Sequence, residues 1–378
     1  MRTSLAFHEN SGSTGRHTQF RSIDLLKIIA VQLIVLHHLA FYGPMSDQVA
    51  LIAPSLIAWL SDEARIAVQI FLVAGGFLAA RSLTPQGRPG IARPWRTVGG
   101  RYLKLVPPFL VATMLAAAAS AVASQWMTHA SISAPPTIHQ LIAHGLLLHG
   151  ILGYASLSAG AWYVAIDFQL YALMVLLLWL SGSFAARRTA AWLVPALVVM
   201  LASLSLLIIN RDAAWDNWAP YFFGSYGLGA IAWWACDPRR RPGAAALLFG
   251  AILVPALVAL MIDFRSRIAL AAVVACVLVL VNRRGDSGPW FDGRRFDWVD
   301  QFGKISYSVF LIHFPVCLLV NAAFTHFAPP DPLIQGAGML LAWITSLAAG
   351  ALFHQWVEQP LGRLVTTRRR RRHFDLVM

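Results

Sequence analysis

Residues 24–40 read DLLKIIAVQLIVLHHLA, and with their apolar flanks they reach the roughly 20 residues an α-helix needs to cross a bilayer. The stretch keeps Lys27 near one end and His37 and His38 near the other. An ionisable group facing lipid at mid-membrane costs about 2.5 kcal/mol or more, so these side chains belong inside a bundle. Lys27 and His38 are eleven residues apart, which places them within about 20° of one another and about 16 Å apart along a helix. They share a face, whereas His37 points about 80° away from Lys27 and ranks second.

The rest of the chain extends this pattern. Of its 378 residues 58% are hydrophobic and 12% charged, against roughly 25% charged in soluble domains. The sequence therefore reads as an all-α, polytopic membrane helix bundle. Its net charge of +13 comes from arginines that punctuate apolar runs, as membrane orientation requires, and not from a nucleic-acid face. Cys236, Cys276 and Cys317 stand in or beside apolar segments without a CxxC or Cys/His pattern, so neither a disulfide framework nor a metal site is expected. The first 22 residues hold no apolar core before a cleavage site, and the helix from about Ile23 is read as retained.

Spans are expected near 23–43, 64–81, 104–125, 160–182, 190–209, 218–236, 243–263, 267–282, 304–325 and 334–357. The stretch 139–157, HQLIAHGLLLHGILGYASL, is apolar but carries His139, His144 and His149, and reads as re-entrant. With ten spans, every basic residue except Arg65, Arg211, Arg265 and Arg267 falls on the cytoplasmic side; a full crossing at 139–157 would invert every later loop. Both termini are thus expected in the cytoplasm, with a tail at 1–22, a membrane domain at 23–362 and a basic tail at 363–378 whose run Arg368–Arg372 touches anionic lipid. No internal repeat is visible, and the glycines of FFGSYGLG, 222–229, have the spacing of close helix packing and not of a phosphate loop.

Asp167, Gln169 and Tyr171 interrupt the span AWYVAIDFQLYALMVLLLW, 161–179. Counted from the middle of each span, Asp167 and His38 fall at one depth, toward the outer side, which makes Asp167 the expected partner of His38. A histidine held by a carboxylate is an oriented general base; a proton relay in a transporter uses the same residue types. In the basic stretch 81–108, Arg101 and Lys104 stand at i and i+3 and form a candidate anion grip. His313, before Pro315, is open to a structural or a functional role, and Glu358 reads as structural.

In order, these stretches resemble the type-3 membrane acyltransferase family. DLLKIIAVQLIVLHH resembles its opening basic-x10-His motif, FLVAGGFLAARSL its second helix, RYLKLVPPF its paired-basic motif, AWYVAIDFQLY its W-x-x-x-x-E-x-Q-x-Y segment, and GKISYSVFLIHFP with WVEQPLG its closing pair. The likeness runs over about residues 21–362. It implies His38 as catalytic histidine, Lys27 as its basic partner where arginine is usual, Arg101 and Lys104 as the paired basic residues, and Asp167 where glutamate is usual. Lys27 lacks the bidentate fork of an arginine, and Gly75 stands where serine is frequent.

The resemblance further implies a multi-pass protein of the bacterial inner membrane. It would move an acyl group, most simply acetyl, from cytoplasmic acyl-CoA held near Lys27, Arg101 and Lys104 to a hydroxyl of a periplasmic carbohydrate, whether exopolysaccharide, lipopolysaccharide or lipid-linked glycan. His37, Trp162, Gln169, Tyr171 and His313 are then expected to contact substrate or support the site. The alternative is a transporter or flippase of a lipid-linked sugar built on the same polar residues.

Overall fold

The computed structural model describes residues 14–84, 91–184, 187–283 and 296–365. The run Arg368–Arg372, much of the tail at 1–22 and part of the loop after Arg81 lie outside the described residues. Among those described, every regular element is a helix: α1 Thr14–Phe41, α2 Pro44–Val49, α3 Pro54–Asp62, α4 Val68–Leu83, α5 Pro94–Ala123, α6 Ile138–Gly145 and α7 Ala161–Phe184. They continue with α8 Arg187–Leu207, α9 Ala219–Ala235, α10 Pro242–Ile262, α11 Ser266–Arg283, α12 Asp297–Phe327 and α13 Pro332–Phe353, which runs into a π-turn, His354–Glu358. Pro44, Pro54, Pro94, Pro220, Pro242 and Pro332 stand in first turns, where a missing N–H costs no helical hydrogen bond.

Nine of the described segments are long and apolar enough to cross a membrane. The expected span at 218–236 is α9, 17 residues long and, at 1.5 Å per residue, about 25 Å in length. It is the central pillar, with 14 of its 17 residues buried. The FFGSYGLG glycines explain how it fits there. A Cβ on Gly229 would collide with the Val73 carbonyl of α4, and one on Gly227 would come within 2.8 Å of the Ala202 Cβ of α8. Gly76 of α4 meets the Tyr226 backbone in the same way. Small residues let two backbones touch, which is how apolar helices gain packing where lipid offers no hydrophobic gradient.

Ion pairs fix the two ends of the bundle. Arg21 of α1 reaches Asp300 at 2.9 Å and Asp297 at 3.3 Å in the first turn of α12, so α1 and α12 run side by side in one direction. Glu358, after α13, accepts from the Ser308 hydroxyl at 2.6 Å and from His354 Nδ1 at 2.9 Å. The first helix therefore begins, and the last one ends, at the same end of the bundle. At the opposite end Asn321 of α12 donates to the Tyr42 carbonyl and accepts from Met45 N–H.

The stretch 139–157 does not cross. It forms the eight-residue α6 and then turns at Leu147 and Gly153, both with positive φ. The following residues reach Phe109, Thr113 and Phe310, midway along α5 and α12, where Ser158, Gly160 and Ala161 line a small void with them. His144 and His149 stack with ring centroids 4.1 Å apart, both fully buried. The His144 Nδ1–H donates to the Gln140 carbonyl, and its Nε2 accepts from Leu157 N–H, so the ring ties the inbound limb to the outbound one. Because the chain turns back there, α7 starts against the middles of α5 and α12.

Candidate active site

His38 lies near the end of α1, buried against α12. Its Nδ1 is 2.7 Å from His313 Nε2, and the two rings stack at 4.9 Å. His313 Nδ1 faces the Phe310 carbonyl at 2.8 Å. A carbonyl only accepts, so His313 carries its proton on Nδ1 and offers the Nε2 lone pair. His38 then donates through Nδ1, which leaves its Nε2 as the base, with no partner among the described residues. Phe310 thus sets the tautomer of both rings.

His38 lines a cavity of about 1130 Å³ that also takes in His37, Gln69, Trp162, Tyr221, Phe222 and Phe310. Asp62, Glu63, Asp216 and Phe264, all exposed, form part of its wall. The cavity is accordingly open at the end of the bundle away from Arg21. Serines 131, 133, 156 and 158 of the re-entrant region and its flanks face it as well.

The expected pairing of His38 with Asp167 is not what forms. Asp167 Oδ2 takes the Arg101 Nη2 at 2.6 Å, and the Arg101 guanidinium lies over the Tyr171 ring at 5.2 Å. The depth count failed for a definite reason. It placed both residues relative to the middle of their own spans, whereas Ala161, the first residue of α7, already lies beside Phe310, one turn before His313, so Asp167, six residues along, sits about 9 Å further toward the Arg21 end. The anion grip is likewise redistributed: Arg101 turns inward to Asp167, while Lys104 is exposed. Lys27 is held by Asp24 at 2.6 Å.

A family model described as an acyltransferase domain matches residues 20–353. The chain belongs to the type-3 acyltransferase family. It is a multi-pass membrane acyltransferase. Comparison with curated proteins and with solved structures gave no match.

In this acyltransferase the remaining expected residues divide by contact. Trp162 packs on Phe222 at 5.7 Å in the cavity wall. The His37 Nδ1–H donates to the Leu60 carbonyl at 3.1 Å, which pins the end of α3 to α1. Gln169 accepts from Ala219 N–H at 3.1 Å and so fixes the start of α9. Gly75 faces Asp167, with a Cβ there falling 3.4 Å from Oδ1. Sequence reasoning missed Tyr42, whose ring lies 5.4 Å from that of His38 and is one turn along from it, and Tyr307, whose hydroxyl donates to the Leu105 carbonyl. The i, i+4 spacing of His38 and Tyr42 was the available signal for the first. Arg65, in the cavity wall beside His37, had none.

Proposed function

We propose that this acyltransferase moves an acyl group, acetyl most simply, from cytoplasmic acyl-CoA to a hydroxyl of an extracytoplasmic carbohydrate, in a bacterial inner membrane. The observation that carries this reading is the free Nε2 of His38 on a large cavity walled by both aromatic rings and carboxylates. Its volume, about 1130 Å³, exceeds the roughly 300–1,000 Å³ of ordinary small-molecule sites. Trp162, Tyr221 and Phe222 offer faces for sugar rings, and Asp62, Glu63 and Asp216 accept from hydroxyls.

The donor enters from the Arg21 end, where the positive-inside rule places the cytoplasm. Lys104, exposed, and Lys27 supply charge for its phosphates. Arg101 belongs to the wall between, and its buried Nε has no partner among the described residues. His38 Nε2 takes the hydroxyl proton as that oxygen bonds to the thioester carbonyl carbon. The C–S bond breaks, and the proton passes to the departing thiolate, giving ester and free thiol. During the step the His38 imidazolium donates its Nδ1–H to His313, which disperses the charge.

His38→Ala is expected to abolish esterification of cellular glycan, read by mass spectrometry, with the protein still present in membrane. Ester at wild-type level would refute the assignment. A transporter built on the same residues would leave no ester in either strain.

A further inference from the structure

We propose that Gln69 is a further catalytic residue, whose side-chain amide N–H donates to the oxygen of the donor thioester as negative charge builds there, and that Ser225 holds the amide in position. The inference rests on the acyl-transfer reading above and deepens it. His38 accounts for the proton of the acceptor but not for the charge that attack places on the carbonyl oxygen. Such charge needs donors fixed in advance of the reaction.

Gln69 stands in the first turn of α4, buried, on the wall of the His38 cavity. Its Oε1 accepts from the Ser225 hydroxyl of α9 at 2.5 Å. The direction of that bond is set within α9 and its neighbours. A helical serine commonly turns its hydroxyl to the carbonyl four residues back. Here that carbonyl, Tyr221, already accepts from the Asn210 amide at 2.9 Å and the Ser205 hydroxyl at 3.1 Å. Its two lone pairs are engaged, so the Ser225 proton goes to Gln69. With Oε1 fixed on Ser225, Nε2 points away from α9. It has no hydrogen-bond partner among the described residues and is not shut off within the packing, which leaves it open to the cavity that the side chain lines. A clasp between α4 and α9 would need only the oxygen. The amide adds two N–H donors on the side where a carbonyl is to react.

Ring contacts place this amide level with the base. α4 leaves the cavity mouth at Glu63 and runs toward the Arg21 end, opposite to α12. Phe71 meets Phe310 with ring centroids 5.7 Å apart. Two residues back on α4 from Phe71 is Gln69, and three residues on along α12 from Phe310 is His313. Both steps lead toward the mouth, by about 3 Å and about 4.5 Å. Gln69 therefore comes level with His313 and with His38, which His313 holds at 2.7 Å. As the acceptor oxygen bonds to the thioester carbon, the C=O pair moves onto oxygen beside Nε2–H, while the hydroxyl proton goes to His38. When the pair returns, the C–S bond breaks and the thiolate leaves with that proton.

The test follows labelled acyl-CoA into glycan in membrane vesicles, per inserted protein, with Gln69→Met, which keeps the length of the side chain without its N–H. The expected result is a kcat lower by about 100-fold or more, with KM for the donor within about threefold and unchanged affinity for a thioether analogue of the donor, which lacks the carbonyl oxygen. Ser225→Ala, which lets the amide turn, is expected to lower kcat about 3- to 10-fold. A residue that only clasped two helices would change the amount of inserted protein and its thermal unfolding, not turnover per molecule. Gln69→Met within threefold of wild-type kcat, or a loss confined to KM, would overturn the proposal and leave the acyl-transfer reading intact. No ester from the wild-type protein would sink both. If Gln69→Met fails to insert, Ser225→Ala decides, since it removes one oxygen only: kcat at the wild-type level would overturn the proposal.

Discussion

Replacing His313 by leucine tests the two-histidine chain most directly. Leucine fills much of the ring's volume but removes the Nε2 that accepts from His38 at 2.7 Å. His38 then has a buried N–H without a partner, and its imidazolium, formed in the transition state, loses a hydrogen bond to a charged donor. Such bonds are worth about 1.5–3 kcal/mol, and at about 1.4 kcal/mol per tenfold the rate should fall about 10- to 150-fold. The loss belongs in kcat, because the charge exists only after proton transfer, and KM for the donor should hardly move. His313→Gln, whose amide oxygen can take the place of Nε2, should recover part of the rate. The assay follows labelled acyl-CoA into the glycan of membrane vesicles at saturating donor. A leucine variant within threefold of wild type, or a loss confined to KM, would refute the relay.

Two further perturbations address the scaffold. Arg101→Ala strands Asp167, and because about a third of the Arg101 side chain is exposed the cost should sit near the lower end of the range for buried pairs, about 3 kcal/mol; Arg101→Ala with Asp167→Ala should cost less than Arg101→Ala alone, measured by thermal unfolding in detergent. Gly229→Val drives a branched side chain into the Val73 backbone, so α4 and α9 must separate and the protein should be lost from the membrane, whereas Gly243→Val, with open space around it, should accumulate normally, both read by quantitative immunoblot.

The bundle was legible because apolar length and basic punctuation are one-dimensional signals, and 139–157 was legible because histidines and glycines disqualify it as a lipid-facing helix. The His38 partnership was not. Its reading assumed that the midpoints of the spans lie level, and the chain breaks that assumption where the re-entrant limb delivers Ala161, the start of α7, to Phe310, in the middle of α12. Asp167 and His38 each qualified as intramembrane polar groups needing a partner, and each has one, but the identities depend on how α5 and α12 pass α7 and α1. His313 carried a visible mark, a buried polar residue two before a proline, without any mark of what it faces. The cavity edge was least legible of all, since Arg65, Phe264 and their neighbours come from connections whose packing no periodicity encodes.

The inward return of the chain also shapes the electric field. A polar cavity that opens away from the Arg21 end and reaches Phe310, halfway along α12, carries solvent into the bundle. Membrane voltage, worth about 2.3 kcal/mol per elementary charge per 100 mV, then falls mainly across the half between His38 and the Arg21 end. A charge moving within the cavity feels little of it. One moving between His38 and the Arg21 end feels most, which on the proposed route ties donor entry and thiolate exit to the polarisation of the membrane.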